Sequence, residues 1–395
     1  MMKFAVIFES SPFDRKGLFN AVHNRILHLM GAGECEVDVF CVHSRDNAFT
    51  RAVRHTPVTP ETDSVTVDGV RYNMLWYKFS IMDYVIIEKF HKRPIFFERF
   101  AASSMKRFES YNAILAHSFT GGLLAYKARE LYGIPYYVTW HGSDIHTHPW
   151  RIPLILEDTR AVMENAECNF FVSNALKLAS DRITRNAAKD VLYNGASDSF
   201  FRKSPAEVAE LREKYGLKEE EKVVCFAGNL VAVKNVGVLA PLLSKIASLY
   251  RGNLKFWIAG DGKLRSQVES DIRQCESLCG YDVRFWGNVP SEEMPSIMNC
   301  VDVLVLPSIN EGLPLVCAEA IKCGANVVGS AVGGVPEVIG VENTSPLGES
   351  LVDSMAERAV YMLENDVAQH VPSEMDWNST ASKEYSVLRK FEASR

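Results

Sequence analysis

Val303-Leu304-Val305-Leu306-Pro307-Ser308-Ile309-Asn310-Glu311-Gly312-Leu313-Pro314, running into a helix over 315–323 that Gly324 stops, decides the fold of this chain. A short apolar strand, a loop and a helix follow one another without a break. Gly312 lets backbone come close to a ligand, and Pro314 suits the first helical position. The free N–H groups and the positive dipole end at that helix start suit a phosphate. Glu311 sits at the mouth and Glu319 about one and a half turns inside. Carboxylates beside a phosphate site are useful when they accept hydrogen bonds from neutral hydroxyls, such as those of a hexose or ribose.

The same alternation extends outward in both directions. Residues 223–227, 255–259, 283–286, 303–306 and 326–328 read as strands with helices between them, and so do 4–8, 37–42, 113–116, 136–140 and 169–172. Amphipathic stretches such as 18–30 and 151–165 separate the earlier set. Two doubly wound α/β domains follow, with ligands expected beyond the carboxyl ends of their strands. The boundaries are a first domain over 1–195, a linker over 196–221, a second domain over 222–372 and a terminal helical segment over 373–395. That segment carries Trp377, Tyr385, Leu388 and Phe391 for docking. The helix after Asn235 sets Val236, Leu239, Leu243, Ile246 and Tyr250 at core spacing.

A length of 395 residues exceeds one ordinary core. With 47% hydrophobic and 23% charged residues, the composition is that of a globular protein. A net charge of -6 gives no global pull toward nucleic acid or anionic membrane. Nine cysteines, with Cys275 and Cys279 the one loose pair, fit a reducing compartment. The apolar start over 4–8 is far short of a signal sequence, and no run reaches the length of a spanning helix. A cytoplasmic location is expected.

Two further strand-end loops carry candidate chemistry. After 223–227 comes Gly228-Asn229-Leu230-Val231-Ala232-Val233-Lys234-Asn235, where Lys234 can neutralise a diphosphate as a point charge. After 326–328 comes Gly333-Gly334-Val335-Pro336-Glu337, another permissive loop before a helix. Gly260-Asp261-Gly262 begins like a dinucleotide fingerprint, but Arg265 stands where its third glycine belongs. Trp140-His141-Gly142-Ser143-Asp144-Ile145-His146-Thr147-His148 is dense in zinc-ligand types without a second ligand cluster, so no metal is assigned. His141, at the end of its strand, is expected to point toward the ligand cleft.

Taken together, Gly228 with Lys234, Glu311 with Glu319, Gly333-Gly334-Val335-Pro336-Glu337, His141-Gly142-Ser143-Asp144 and Val172-Ser173-Asn174 resemble the retaining glycosyltransferases of family 4, or group 1. The resemblance implies the GT-B fold, two facing Rossmann-like doubly wound domains with an interdomain cleft, and a last helix that crosses back onto the first domain. It implies Lys234 on the donor diphosphate, Glu319 on the ribose, Glu311 on the transferred sugar, and the backbone of Gly312, Leu313, Pro314, Leu315 and Val316 on sugar and phosphate. His141 matches a family histidine near the reacting sugar, making His141 and Glu311 the catalytic candidates. Asn229 stands where the family often has arginine, and Gly17, in Ser11-Pro12-Phe13-Asp14-Arg15-Lys16-Gly17, where it has paired glycines.

The expected reaction is retaining transfer of a hexosyl-type sugar from a UDP- or GDP-type sugar to a hydroxyl of a glycan or lipid-linked acceptor, with no cofactor and no metal. Cell-surface polysaccharide or glycolipid synthesis is the expected setting. A sugar phosphorylase or other sugar-nucleotide enzyme on the same fold, or a non-catalytic sugar-nucleotide binder, is the alternative. Residues 78–108 mix Lys89, Lys92, Arg93, Arg99, Lys106 and Arg107 with Phe90, Phe96, Phe97 and Phe100. Two readings stand for that stretch: peripheral contact with an anionic membrane, or a solvated helix face with its aromatics in the core.

Overall fold

Apolar runs such as Phe4-Ala5-Val6-Ile7-Phe8 and Val223-Val224-Cys225-Phe226-Ala227 offer no polar face to water, so they belong in parallel sheets covered on both sides. Each of these ten residues is at most 2% exposed. The structure, a computed structural model, describes residues 2–13, 17–33, 35–54, 58–275, 278 and 280–393, without the side chains of 52–54 and 391–393. Asp14, Arg15 and Lys16 of the first loop, Cys279, and the side chain of Phe391 lie outside the described residues.

The chain divides into two compact units, Met1–Tyr193 with Trp377–Arg395, and Asn194–Asp376. The first unit opens with β1 (Met2–Glu9), α1 (Leu18–Ala32), β2 (Cys35–Asp46), α2 (Ala48–Arg54), β3 (Ser64–Val67), β4 (Val70–Phe79), α3 (Ile81–Phe90) and α4 (Ile95–Ser104). It continues with β5 (Ala113–His117), α5 (Ser118–Tyr132), β6 (Tyr136–Trp140), α6 (Ser143–His146), α7 (Pro153–Asn165), β7 (Cys168–Phe171), α8 (Asn174–Ala179) and β8 (Lys189–Val191). Its sheet runs β3-β4-β2-β1-β5-β6-β7-β8, parallel except for the β3–β4 hairpin.

The second unit contains α9 (Pro205–Lys214), β9 (Lys222–Ala227), α10 (Leu239–Leu249), β10 (Leu254–Ala259), α11 (Arg265–Gln274), β11 (Asp282–Gly287) and α12 (Met294–Met298). Then follow β12 (Val303–Leu306), α13 (Leu315–Lys322), β13 (Asn326–Ser330), α14 (Val335–Ile339), β14 (Thr344–Ser345) and α15 (Leu351–Glu364). Its parallel sheet runs β11-β10-β9-β12-β13-β14. α10 and α15 line one face of that sheet, with Leu239, Leu243, Ile246, Met355 and Ala359 in a single core. The last helix, α16 (Trp377–Ala393), belongs to the first unit.

Four strands have no counterpart in the sequence reading: β3, β4, β8 and β14. The β3–β4 hairpin turns on Asp68 and Gly69, both at positive φ (47° and 81°), between the paired residues Val67 and Val70. Asp-Gly between two strands is a strong hairpin signal. Residues 196–221, read as a linker, fall in the second unit and hold α9, whose start is a capping box of Ser204 and Glu207 with Pro205 at its first position. The helix expected directly after Asn235 begins as a 3₁₀ turn over Val236–Val238, because Asn235 is left-handed (φ 52°) and resets the chain. The terminal helix starts at Trp377 rather than at 373. Among the described residues no helix is long and apolar enough to cross a membrane.

α16 packs on the first unit through the buried side chains of Trp377, Ala381 and Leu388 and through one buried charge pair. Arg25, on α1, donates from Nε and Nη2 to the two carboxylate oxygens of Glu384 at 2.7 and 2.8 Å, with both side chains nearly inaccessible. Lys383 Nζ and Thr380 Oγ1 donate to the carbonyls of Val191 and Tyr193, each at 2.6 Å, and Trp377 stacks on His28. Breaking a buried pair by removing one partner strands the other charge, at a cost of about 3–5 kcal/mol, whereas replacing both by apolar groups costs far less. Glu384→Ala is therefore expected to lower the unfolding free energy of the first unit, read from urea titration, by that amount. The double change Arg25→Met with Glu384→Leu should recover most of it; equal losses in the two proteins would contradict this account.

Candidate functional site

β9, β12 and β13 are neighbours in the second sheet, so the loops leaving their carboxyl ends start side by side. The first is Gly228 to Lys234, the second Pro307 to Pro314, and the third Ala331 to Gly334. Lys234 ends a 3₁₀ turn over Ala232–Lys234, and its Nζ lies 2.6 Å from Glu311 Oε1. Ser308 Oγ donates to the same oxygen at 2.6 Å. The Ile309 N–H donates to the Val233 carbonyl at 2.9 Å, and the Gly334 N–H to the Gly312 carbonyl at 3.1 Å. These bonds join the three loops into one floor.

Gly333 is the tightest point of that floor. Its φ is +49°, and a Cβ there would stand 1.8 Å from the Glu311 carbonyl oxygen. Only glycine permits both the left-handed backbone and the close approach. Gly260 and Gly262, the fingerprint-like pair, serve a similar close approach, since a Cβ on either would meet the carbonyl of Gly228 (2.0 Å) or Leu230 (2.4 Å). The loop after β10 thus braces the Gly228 loop through Gly228 N–H to Ala259 and Leu230 N–H to Asp261, each at 2.9 Å.

α13 begins at Leu315, with Pro314 as the residue before it and no side chain capping its N-terminus. The N–H groups of its first turn have no partner within the helix, and the dipole adds positive potential there. Gly312, Leu313, Leu315 and Val316 stay partly exposed, while Pro314 is buried. Asn229 is exposed at the edge of the floor. Glu319 lies in the second turn of α13, and burial raises its carboxyl to about 7, against a smaller opposing pull from Lys322.

In the first unit, His141 follows β6 and stacks on His117, the last residue of the adjacent strand β5, with His117 Nδ1 and His141 Nε2 3.1 Å apart. Burial, with the Arg25 charge second, lowers His141 to about 3 and His117 well below the usual imidazole range. His141 is therefore a neutral hydrogen-bonding group near pH 7. The N–H groups of His141 and Gly142 donate to Asp144 at 2.8–3.1 Å, so that carboxylate closes the loop. His148 lies edge-on to Phe119. Among the described residues no three His, Cys, Asp or Glu side chains are grouped to hold a metal ion.

Gly17 caps α1 through its carbonyl, at φ 42° and exposed, with open space around a would-be Cβ. The structure thus brings Lys234, Glu311 and the start of α13 together in one unit, and holds His141 and Gly17 in the other. Sequence reasoning missed Ser308 and His117. His117 carries the signal that drew attention to His141, a polar residue ending a buried apolar strand; Ser308 carries none.

The Glu319 proton has a thermodynamic consequence. Between pH ~4.5 and ~7 the folded chain keeps a proton that the unfolded chain has released, so stability falls as pH rises, by up to about 3 kcal/mol, and levels off above. Melting curves of Glu319→Gln are expected to lack this component between pH 4.5 and 8. An unaltered pH dependence in that variant would refute the assignment.

The matching families bear directly on these loops. The model described as glycosyl transferases group 1 matches residues 207–383, and the model described as a glycosyl transferase 4-like domain matches residues 20–195. The chain is 27% identical over 225 residues to 2-deoxystreptamine glucosyltransferase of Streptomyces kanamyceticus, covering 54% of this chain and 57% of that one. It is 30% identical over 243 residues to an uncharacterised glycosyltransferase of Methanocaldococcus jannaschii, covering 58% and 60%. It thus spans about three fifths of the length of these relatives. Among solved structures, sucrose-phosphate synthase of Thermosynechococcus elongatus superposes with a TM-score of 0.74 at 17% identity, and HepE of Anabaena in complex with UDP with 0.69 at 18%, each over the whole of both chains. The matched segments take in the floor of three loops in one unit and the His141 loop in the other, and the chain belongs to the group 1 glycosyltransferases, with their GT-B fold of two Rossmann-like units.

Proposed function

We propose that this chain transfers a hexosyl-type sugar, with retention of anomeric configuration, from a UDP- or GDP-type sugar nucleotide to a hydroxyl of a glycan or lipid-linked acceptor. The observation that carries the reading is the convergence of Lys234, Glu311 and the uncapped start of α13 on one set of strand-end loops. HepE, a neighbour in fold, was solved with UDP, with UDP-glucose, and with UDP and glucose. A curated relative from Bacillus anthracis is an N-acetyl-alpha-D-glucosaminyl L-malate synthase. These names support a nucleotide-sugar donor and an acceptor of variable chemistry.

In the proposed reaction the bond between the anomeric carbon and the diphosphate oxygen breaks. Lys234 and the N–H groups of Leu315 and Val316 meet the negative charge that develops on the leaving group. The acceptor hydroxyl attacks the same face and passes its proton to the departing phosphate oxygen. Glu311 holds hydroxyls of the transferred sugar, Glu319 those of the ribose, and neutral His141 hydrogen-bonds near the reacting centre. Asn229, with no charge of its own, leaves neutralisation to Lys234 and the helix start. Fixed protein charge takes the place of a metal ion in this scheme, and no cofactor enters it.

Lys234→Ala should weaken binding of the sugar nucleotide about 10- to 100-fold, the worth of one charge-assisted hydrogen bond to a phosphate, as read by calorimetry. Glu319→Ala should weaken it about tenfold. Transfer should survive EDTA. Unchanged affinity in Lys234→Ala, or activity lost to EDTA and restored by a divalent ion, would sink the scheme.

A further inference from the structure

The first unit contains a cavity of about 310 Å³ that the donor chemistry leaves unassigned. Such a volume is at the lower end of sites for small organic ligands. Glu9, the last residue of β1, is one of the cavity's lining residues. Its two carboxylate oxygens accept from Tyr77 Oη at 3.2 Å and Thr120 Oγ1 at 2.5 Å. β1 neighbours β5, so this carboxylate stands at the same edge of the sheet as His117 and His141.

The remaining walls come from β4, from α3, α4, α5 and α7 and from the segments before α4 and α7, and are mainly apolar, with Ile87, Phe97, Leu123, Leu154 and Ile155 among them. Two guanidiniums line the cavity, and both are engaged. Arg93 donates to Asp158, and Arg151 to Glu88. With Lys92 set against Glu9, the charged groups of the lining balance, three against three. A charge-balanced wall favours an uncharged occupant. Tyr84, one of the lining residues, and Met82 and Phe90, on the same helix, are 42–64% exposed, so α3 carries exposed apolar side chains as well as cavity wall.

We infer that this cavity seats the acceptor, and that the acceptor is an uncharged amphiphile: a sugar head whose hydroxyls bond to Glu9, joined to an apolar chain that lies between α3, α4 and α7. The acceptor role rests on the transferase reading above; the cavity's ligand class does not. Glu9 is a positioning residue in this assignment. It orients the head through hydrogen bonds and takes no part in bond breaking.

The test uses the full chain without donor. Methyl, hexyl, octyl and decyl β-D-glucopyranosides, each below its micelle concentration, are titrated by calorimetry. Affinity should rise about fourfold per methylene until the cavity is filled. Ile155→Trp, a partly exposed position where a larger side chain can be accommodated, should cost octyl glucoside at least tenfold while UDP raises the melting temperature as before. Glu9→Gln should weaken every member of the series by about the same factor, roughly fivefold, leaving the chain-length slope intact.

Equal affinity for methyl and octyl glucoside would overturn the inference. So would octyl binding untouched by Ile155→Trp, since the chain would then lie on the outer faces of α3 and α4. If the alkyl series behaves as expected but neither UDP- nor GDP-sugars raise the melting temperature, the ligand class stands and the transferase reading fails. If sugar nucleotides stabilise the chain and no alkyl glucoside binds, the reverse holds.

Discussion

A single carboxylate oxygen, Glu311 Oε1, accepts from Lys234 Nζ and Ser308 Oγ at 2.6 Å each, and the second unit's three loops are arranged around it. Partly buried ion pairs contribute little net stability, because desolvation offsets much of the attraction. Their value is geometric. Lys234 comes from the loop after β9, Glu311 from the loop after β12, and Gly333 brings the loop after β13 against the Glu311 carbonyl. In the proposed reaction a diphosphate that takes the lysine replaces one anionic partner by another, and Glu311, left with Ser308, is free to accept hydroxyls from the sugar.

The electrostatics around this pair are graded rather than uniformly positive. Lys234 and the first turn of α13 favour an anion, while Glu319, deeper in the same helix, is raised to about 7. A carboxyl that holds its proton near neutrality does not repel a neighbouring phosphate. It can also donate as well as accept, which suits vicinal hydroxyls that do both. In the proposed reading the helix serves an anion at its start and neutral hydroxyls one turn later.

Much of this was legible in the sequence because buried parallel strands are written as unbroken apolar runs. The strand Val303–Leu306 and the strand Tyr136–Trp140 fall where the runs predict, and Lys234, Glu311 and Gly333 could be placed at strand ends from position alone. The ion pair between Lys234 and Glu311 was not legible, since 77 residues separate its members and only the strand order makes their loops adjacent. β4 was missed because Arg71, Asn73 and Lys78 interrupt its apolar pattern. Gly260 and Gly262 begin like a fingerprint for a physical reason: glycine marks close backbone approach whether the approaching group is a phosphate or, as here, the neighbouring loop.

The two units share an architecture but differ in the chemistry at their strand ends. In the second, a lysine and an uncapped helix present positive potential. In the first, His117 and His141 are held neutral by burial and by the nearby Arg25, and the carboxylate of Glu9 is the charged group at the end of β1. Arg25 is itself fixed by Glu384, so the last helix holds in place a charge that adds to the effect of burial on the histidine pair. A neutral imidazole pair with a carboxylate nearby would bind a phosphate poorly and a hydroxyl well. That contrast supports the proposed reading, with the anionic substrate at the second unit and the hydroxyl-bearing one at the first.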